Sequence, residues 1–228
     1  MTTLTSEMGA ENMGSVSLTG SSQSATKVPF WGNVAHAHDE EQQYRAGAYS
    51  LLAALLRSTP EQALLAHVTQ LASVSQTKDE LAVAMSIMGL AAKDTTAEQI
   101  SDEYHALFIG LGRGELVPFG SWYLTGFLME KPLALLRDDL KRLGFERHSD
   151  THEPEDHVAA LCEVMALLIN DEQELIRQTE FFEAHMAPWL DRFFSDLSTA
   201  RSAVFYRAVG RFGAAFIELE RNYLAMNV

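Results

Sequence analysis

Beyond residue 38, apolar side chains recur every three or four positions through most of the chain, and hardly any stretch alternates with period two. An α-helix returns to the same side about every 3.6 residues, so this spacing predicts a succession of helices with one apolar face each. Tyr44, Ala48, Leu51, Leu52, Leu55 and Leu56 form such a stripe in a helix over about 39–57, which ends before Pro60. Thr59, Pro60 and Gln62 then read as an N-cap, a first-turn proline and a reaching-back glutamine, opening a second helix through about Ser73. Thr77 with Glu80, and Thr95 with Glu98, repeat the capping pattern for helices that end near Ala92 and at Gly110. In the second of these, Ile100, Tyr104, Leu107 and Phe108 are the inward positions.

Residues 110–120 break the pattern with four glycines and a proline. Helices resume from Pro132 to Leu143, from Pro154 to about Asn170, from Asp171 to His185, from Pro188, and over about 201–225. The last places Val204, Phe205, Ala208, Phe212, Ala215, Phe216, Leu219 and Tyr223 on one side. Together these elements predict an all-α fold, an irregular bundle of about nine helices in one domain over 39–228. Residues 1–26 are rich in Ser, Thr and Gly and nearly lack large apolar side chains, so 1–38 is expected to be a disordered tail.

Composition narrows the partners. Seventeen Lys and Arg stand against 31 Asp and Glu, a net charge of −14, which argues against nucleic acid or an anionic membrane and favours a basic partner. Cys162 is the one cysteine, so no intrachain disulfide forms; it is expected to be a small buried hydrophobe in a reducing compartment. No run approaches the ~18 apolar residues of a membrane span. The first 26 residues carry Glu7 and Glu11, no Lys or Arg, and no apolar core of a secretory signal, so the expected location is the cytoplasm.

The densest chemistry lies in Glu153-Pro154-Glu155-Asp156-His157. Pro154 suits the first position of a helix, Glu155 and Asp156 its first turn, and His157 heads a stripe continued by Leu161, Val164, Met165 and Leu168. One reading is a metal site from His148, His152, Glu153, Asp156 and His157, giving a metal-dependent hydrolase that uses His152, Asp156 and His157. The HExxH spacing is absent, however, and His105 and His185 are the only further candidates. A second reading is an acid/base pair in which Asp156 orients His157, without a recognisable nucleophile elbow, or simply a cap and a core histidine. A third is recognition of a peptide basic at one end and apolar after it, with carboxylates taking arginine forks beside the aromatics Phe119, Trp122 and Tyr123. Trp122 reads equally well as core filling. The glycines of 110–120 lack the preceding strand and the Lys-Ser/Thr ending of a phosphate loop.

Tyr104, Leu107, Phe108 and Gly110, then Pro118, Gly120, Ser121 and Tyr123, then Gly144 followed by Glu153 to His157, resemble the ordered motifs of the TorD/DmsD family. His185, Pro188, Trp189 and Phe193, and then Phe205-Tyr206-Arg207-Ala208, continue the same order, so the resemblance runs from about residue 44 to 224. It implies an all-helical cytoplasmic chaperone, not an enzyme and without a cofactor of its own. Such a chaperone binds the twin-arginine signal peptide of a molybdenum-cofactor oxidoreductase and holds the apoenzyme for cofactor insertion before Tat export. Carried over position by position, it implies signal-peptide binding by Phe119, Ser121, Tyr123, Glu153, Asp156 and His157. It also implies a monomer or a domain-swapped homodimer; the glycine-rich loop 110–120 and the polar connection 145–152 read as the hinges for such a swap. Phe119 stands where relatives often have tryptophan and Trp122 where they commonly have a smaller residue. Residues 1–38 match nothing in the family, and no guanine-nucleotide motif is present.

Overall fold

The computed structural model describes residues 37–73, 79–145 and 153–227, and contains ten α-helices and no β-strand among them. They are α1 (Ala37–Arg57), α2 (Gln62–Gln70), α3 (Glu80–Asp94), α4 (Ala97–Tyr104), α5 (Gly120–Thr125), α6 (Lys131–Arg142), α7 (Val158–Asn170), α8 (Leu175–His185), α9 (Leu190–Thr199) and α10 (Phe205–Asn227). A 3₁₀ turn, Leu71–Ser73, extends α2, and a π-helical turn, His105–Ile109, extends α4.

The core is built around α7 and α10. Helix α7 buries Val158, Ala159, Leu161, Cys162, Met165, Ala166, Leu168 and Ile169, which leaves little of its circumference polar, as expected of a helix enclosed by others. Helix α1 lies along it, while α10 packs against α9 and α3. Cys162 is fully buried, and burial pushes its thiol pKa far up, so it behaves as a small hydrophobe.

Several local expectations shift by a residue or a turn, each for a visible reason. The capping box forms at Thr96 and Gln99 rather than at Thr95 and Glu98, because the Thr95 hydroxyl donates to the Ala91 carbonyl of the preceding helix at 2.8 Å. Helix α2 starts at Gln62 after Glu61; Thr59 and Pro60 stay outside it, and Pro60 is buried in the connection. Helix α9 starts at Leu190, two residues after Pro188. Tyr44 is exposed and Arg45 is buried instead, held by two bonds of 2.8 and 2.6 Å to the buried Glu220 on α10. Val204, which precedes α10, is exposed, and so is Leu219, since α10 turns Val209, Ile217 and Leu224 into the core as well as its aromatic stripe. The Thr77 cap, the tail over 1–36 and the connection 146–152 lie outside the described residues.

Two tyrosines and a glutamate fix the ends that matter for the site. The hydroxyls of Tyr206 and Tyr104 donate to the Leu55 and Arg57 carbonyls at 2.9 and 3.1 Å, satisfying the open C-terminal end of α1. Buried Glu103 accepts from the Val204, Phe205 and Tyr206 amides at 2.7, 3.0 and 2.6 Å, capping the start of α10 from another helix.

Candidate functional site

Glu153–His157 forms a turn rather than the first turn of a helix. The His157 amide donates to the Pro154 carbonyl at 3.2 Å, and α7 begins only at Val158 with His157 as its N-cap. Pro154 is therefore not the first helical residue, and Glu155 and Asp156 do not sit in the helix. The reason is a pairing made elsewhere. His157 adopts an extended backbone (φ −64°, ψ 137°) and forms an antiparallel bridge with Phe119. The Gly120 amide donates to the Asp156 carbonyl and the Val158 amide to the Pro118 carbonyl, both at 2.9 Å.

Asp156 completes this junction with its side chain. Its Oδ2 accepts from the Ser121 amide at 2.7 Å, so the carboxylate caps α5 and not its own helix. Asp156 is 3% exposed, and Ser121 and His157 are likewise buried. The His157 Nδ1 accepts from the Ala159 amide at 3.2 Å, which places the proton of the neutral ring on Nε2. Burial, helped by the nearby Arg57 guanidinium, lowers the His157 pKa to about 3, so the ring is neutral near pH 7. Its Nε2 stands 3.6 Å from Glu153 Oε1, a polar contact and not an ion pair.

Two further motif segments converge on the junction. The Trp189 Nε1 donates to the His185 carbonyl at 2.8 Å, and its ring lies 5.4 Å from that of Tyr123. A methyl group on Gly120 would stand 3.1 Å from Trp189 Nε1, so glycine lets the bridge settle on the indole. Tyr123 donates to Asp196 Oδ2 at 3.1 Å, and burial together with that carboxylate raises its pKa.

Beside the junction lies a cleft of about 420 Å³, walled by Leu116, Val117, Trp122, Tyr123 and Leu124 and rimmed by Arg113, Glu115, Arg192 and Asp196. Trp122 is half-buried on its wall, so it is not core filling, and Arg113 covers its ring at 4.9 Å. The apolar surface continues past the cleft through Leu124, Phe127, Leu128 and Met129, all exposed. Phe119 is half-buried, its ring edge-on to His157 at 5.0 Å.

The outer carboxylates of the turn carry the chain's own arginines. Arg57 Nη1 donates to Glu153 Oε2 at 2.7 Å while its Nε and Nη2 fork Glu163. Arg137 donates from Nε to Glu155 Oε2 at 2.9 Å. Burial raises the Glu153 pKa, and Arg57 opposes that rise.

Neither enzyme reading gains from this geometry. Among the described residues no three His, Cys, Asp or Glu side chains come together as a metal-binding set. His157 Nδ1 and Asp156 Oδ2 are committed to backbone amides, His105 to the Ser101 carbonyl and His185 to Asp139, while His148 and His152 lie outside the described residues. The glycine loop folds back on the π-helical turn, with the Glu115 and Leu116 amides donating to Ala106 and Leu107 carbonyls at 3.2 and 2.8 Å. Gly110 has φ +60°, and a Cβ there would lie 2.2 Å from the Arg113 carbonyl oxygen, so this glycine serves a tight turn.

Of the six residues expected to bind a peptide, the fold brings all into one region but gives them different exposure. Phe119, Tyr123 and Glu153 reach the surface; Ser121, Asp156 and His157 lie beneath it. The exposed apolar run 124–129 and the two arginines on the turn were not singled out by sequence. Large apolar residues on either side of the helix-ending Gly126 span too few positions to show a period, and long-range ion pairs leave no mark on spacing.

An all-α frame that ties a carboxylate-bearing turn through one bridge to the segment walling an aromatic cleft defines the class: a helical protein with this composite junction. The sequence profile of the family described as nitrate reductase delta subunit matches residues 61–195, and the chain belongs to that TorD-like family. It is 25% identical over 171 residues to the chaperone protein TorD of Aliivibrio salmonicida, covering 69% of this chain and 80% of that one. It is 30% identical over 114 residues to a Haemophilus influenzae protein named as a Tat proofreading chaperone, DmsD, covering 49% of this chain and 55% of that one. The crystal structure of an Archaeoglobus fulgidus protein described as a redox enzyme maturation protein superposes with a TM-score of 0.52 at 18% identity, over 82% of this chain and 97% of that one, which shows the shared fold.

Proposed function

We propose that this protein is a cytoplasmic chaperone that binds the twin-arginine signal peptide of a molybdenum-cofactor oxidoreductase and holds the apoenzyme until its cofactor is inserted. It is not an enzyme. The observation that carries the reading is the junction of the Glu153–His157 turn with the Phe119–Tyr123 segment, because it ties a carboxylate-bearing turn to the segment whose Trp122 and Tyr123 wall the aromatic cleft. A twin-arginine peptide needs both: oxygens for two guanidinium forks and apolar surface for the stretch that follows. Phe119, Tyr123 and Glu153 contact the peptide, while Ser121, Asp156 and His157 hold the two segments together as positioning residues. The names of the relatives support the same role. The loop at 110–120 is a hinge for a domain-swapped dimer, should the monomer exchange elements.

Calorimetric titration with synthetic signal peptides of exported molybdoenzymes, beside the same peptides with both arginines changed to lysine, tests the reading. Saturable binding that weakens on the lysine change supports it and identifies the client. Absence of binding to every peptide overturns it.

A further inference from the structure

Resting on the signal-peptide reading, we infer that Arg57 and Arg137 are internal competitors that occupy the two outer carboxylates of the turn and must be displaced by the arginines of an incoming peptide. The two residues come from different helices, α1 and α6, yet each ends on a carboxylate of the same five-residue turn. Arg57 reaches Glu153 at 2.7 Å and Arg137 reaches Glu155 at 2.9 Å through both Nε and Nη2. Asp156, the third carboxylate of the turn, is buried, with Oδ2 accepting from the Ser121 amide, so burial keeps it out of reach of a peptide while the junction holds. The chain thus presents a pair of its own guanidiniums where a twin-arginine peptide would place two.

The contacts are built to let go. Arg57 is 30% exposed and Glu153 33%, and Arg137 is 43% exposed over a Glu155 carboxylate that is 17% exposed, so both guanidiniums stand at the water boundary, where ion pairs contribute little. Arg57 also keeps Nε and Nη2 on Glu163 when Nη1 leaves Glu153, so it swings on an anchor. Its backbone stays fixed, because the Arg57 carbonyl is held by Tyr104. Displacement exchanges one arginine–carboxylate pair for another, leaving the number of ion pairs unchanged. Peptide binding to the parent protein is therefore expected to depend weakly on salt, even though the partner is cationic and the chain carries a net charge of −14.

The test titrates the full chain and the variants Arg57→Gln, Arg137→Gln and their double with the twin-arginine peptide at low and high salt. Arg221→Gln serves as a charge-matched control, because Arg221 pairs with Asp191 away from the turn. Each turn variant is expected to bind about two- to fivefold more tightly than the parent. The double variant is expected to show a steeper loss of affinity with salt, and the control to stay within about twofold. Adding Glu153→Gln and Glu155→Gln to the double variant should abolish the gain. If the parent binds the peptide and the turn variants bind equally or more weakly, at unchanged melting temperature, Arg57 and Arg137 are not competitors and the inference falls while the signal-peptide reading stands. A double variant that melts lower is judged on the two single variants by the same criterion. If neither parent nor variants bind, both fall.

Discussion

Replacing His157 by asparagine separates the two duties of that residue, because asparagine keeps the N-cap and discards the titration. The ring is buried, its Nδ1 already accepts the Ala159 amide, and its pKa is lowered to about 3 against about 6.5 in an unfolded chain. Between those two values the unfolded state binds a proton that the folded state refuses. Stability therefore rises with pH across this window and is lost as pH falls below 6.5, by up to about 1.4 kcal/mol per pH unit. From pH 7 to pH 5 the loss through His157 alone is about 2 kcal/mol. In the His157→Asn variant this loss disappears, while shrinking the side chain against Phe119 costs about 1–2 kcal/mol at pH 7. Urea unfolding of both proteins at pH 7, 6 and 5 reads the difference directly, since every other titrating group cancels between them. The stability gap of about 1–2 kcal/mol at pH 7 is expected to close by pH 5. A gap that stays constant or widens on acidification would show that His157 is not held neutral by burial.

Other outcomes follow from the same contacts. Asp156→Ala strips the acceptor from the buried Ser121 amide, so calorimetry should show a melting temperature lower by about 4–12 °C for a loss of about 2–3 kcal/mol, with helical content intact at 25 °C; no shift would mean that Asp156 does not hold the junction. Glu103→Ala leaves three amides at the start of α10 without their acceptor and is expected to cost a similar amount in a urea melt, whereas a loss under about 0.5 kcal/mol would contradict the capping role. Trp122→Ala truncates a half-buried wall of the cleft, so peptide affinity should fall roughly five- to thirtyfold while stability barely moves, and unchanged affinity would remove the cleft from the binding surface.

Much of the frame was legible in the chain because its signals are local. Helical spacing marked the stripe of α1 from Ala48 to Leu56 and that of α10, and Gly144 marked the end of α6, where it adopts φ +85°. Boundaries slipped where a residue's bonding capacity was taken by a partner that spacing does not show. Thr95 caps the preceding helix rather than its own, and the Glu153–His157 turn is pulled out of helical geometry by Pro118 and Gly120. The same holds for the site. That the turn, the 118–123 segment and Trp189 belong together was carried by the resemblance of their order, not by any local pattern. The burial of Asp156, and the arginines resting on Glu153 and Glu155, are tertiary facts that no spacing encodes. Arg45 makes the point inside the core, where a charge one place from the apolar stripe is buried because Glu220, 175 positions away, meets it.

Hydrogen exchange of the full chain with and without a twin-arginine signal peptide tests most directly where such a peptide sits. Protection is expected in the amides of 117–125 and 153–159, and is expected to weaken at the same peptide concentration when both peptide arginines are replaced by lysine. Protection confined to another face, such as the surface around Arg142, Arg177 and Phe181 between α6 and α8, would contradict the assignment of the turn and the aromatic cleft as the binding surface.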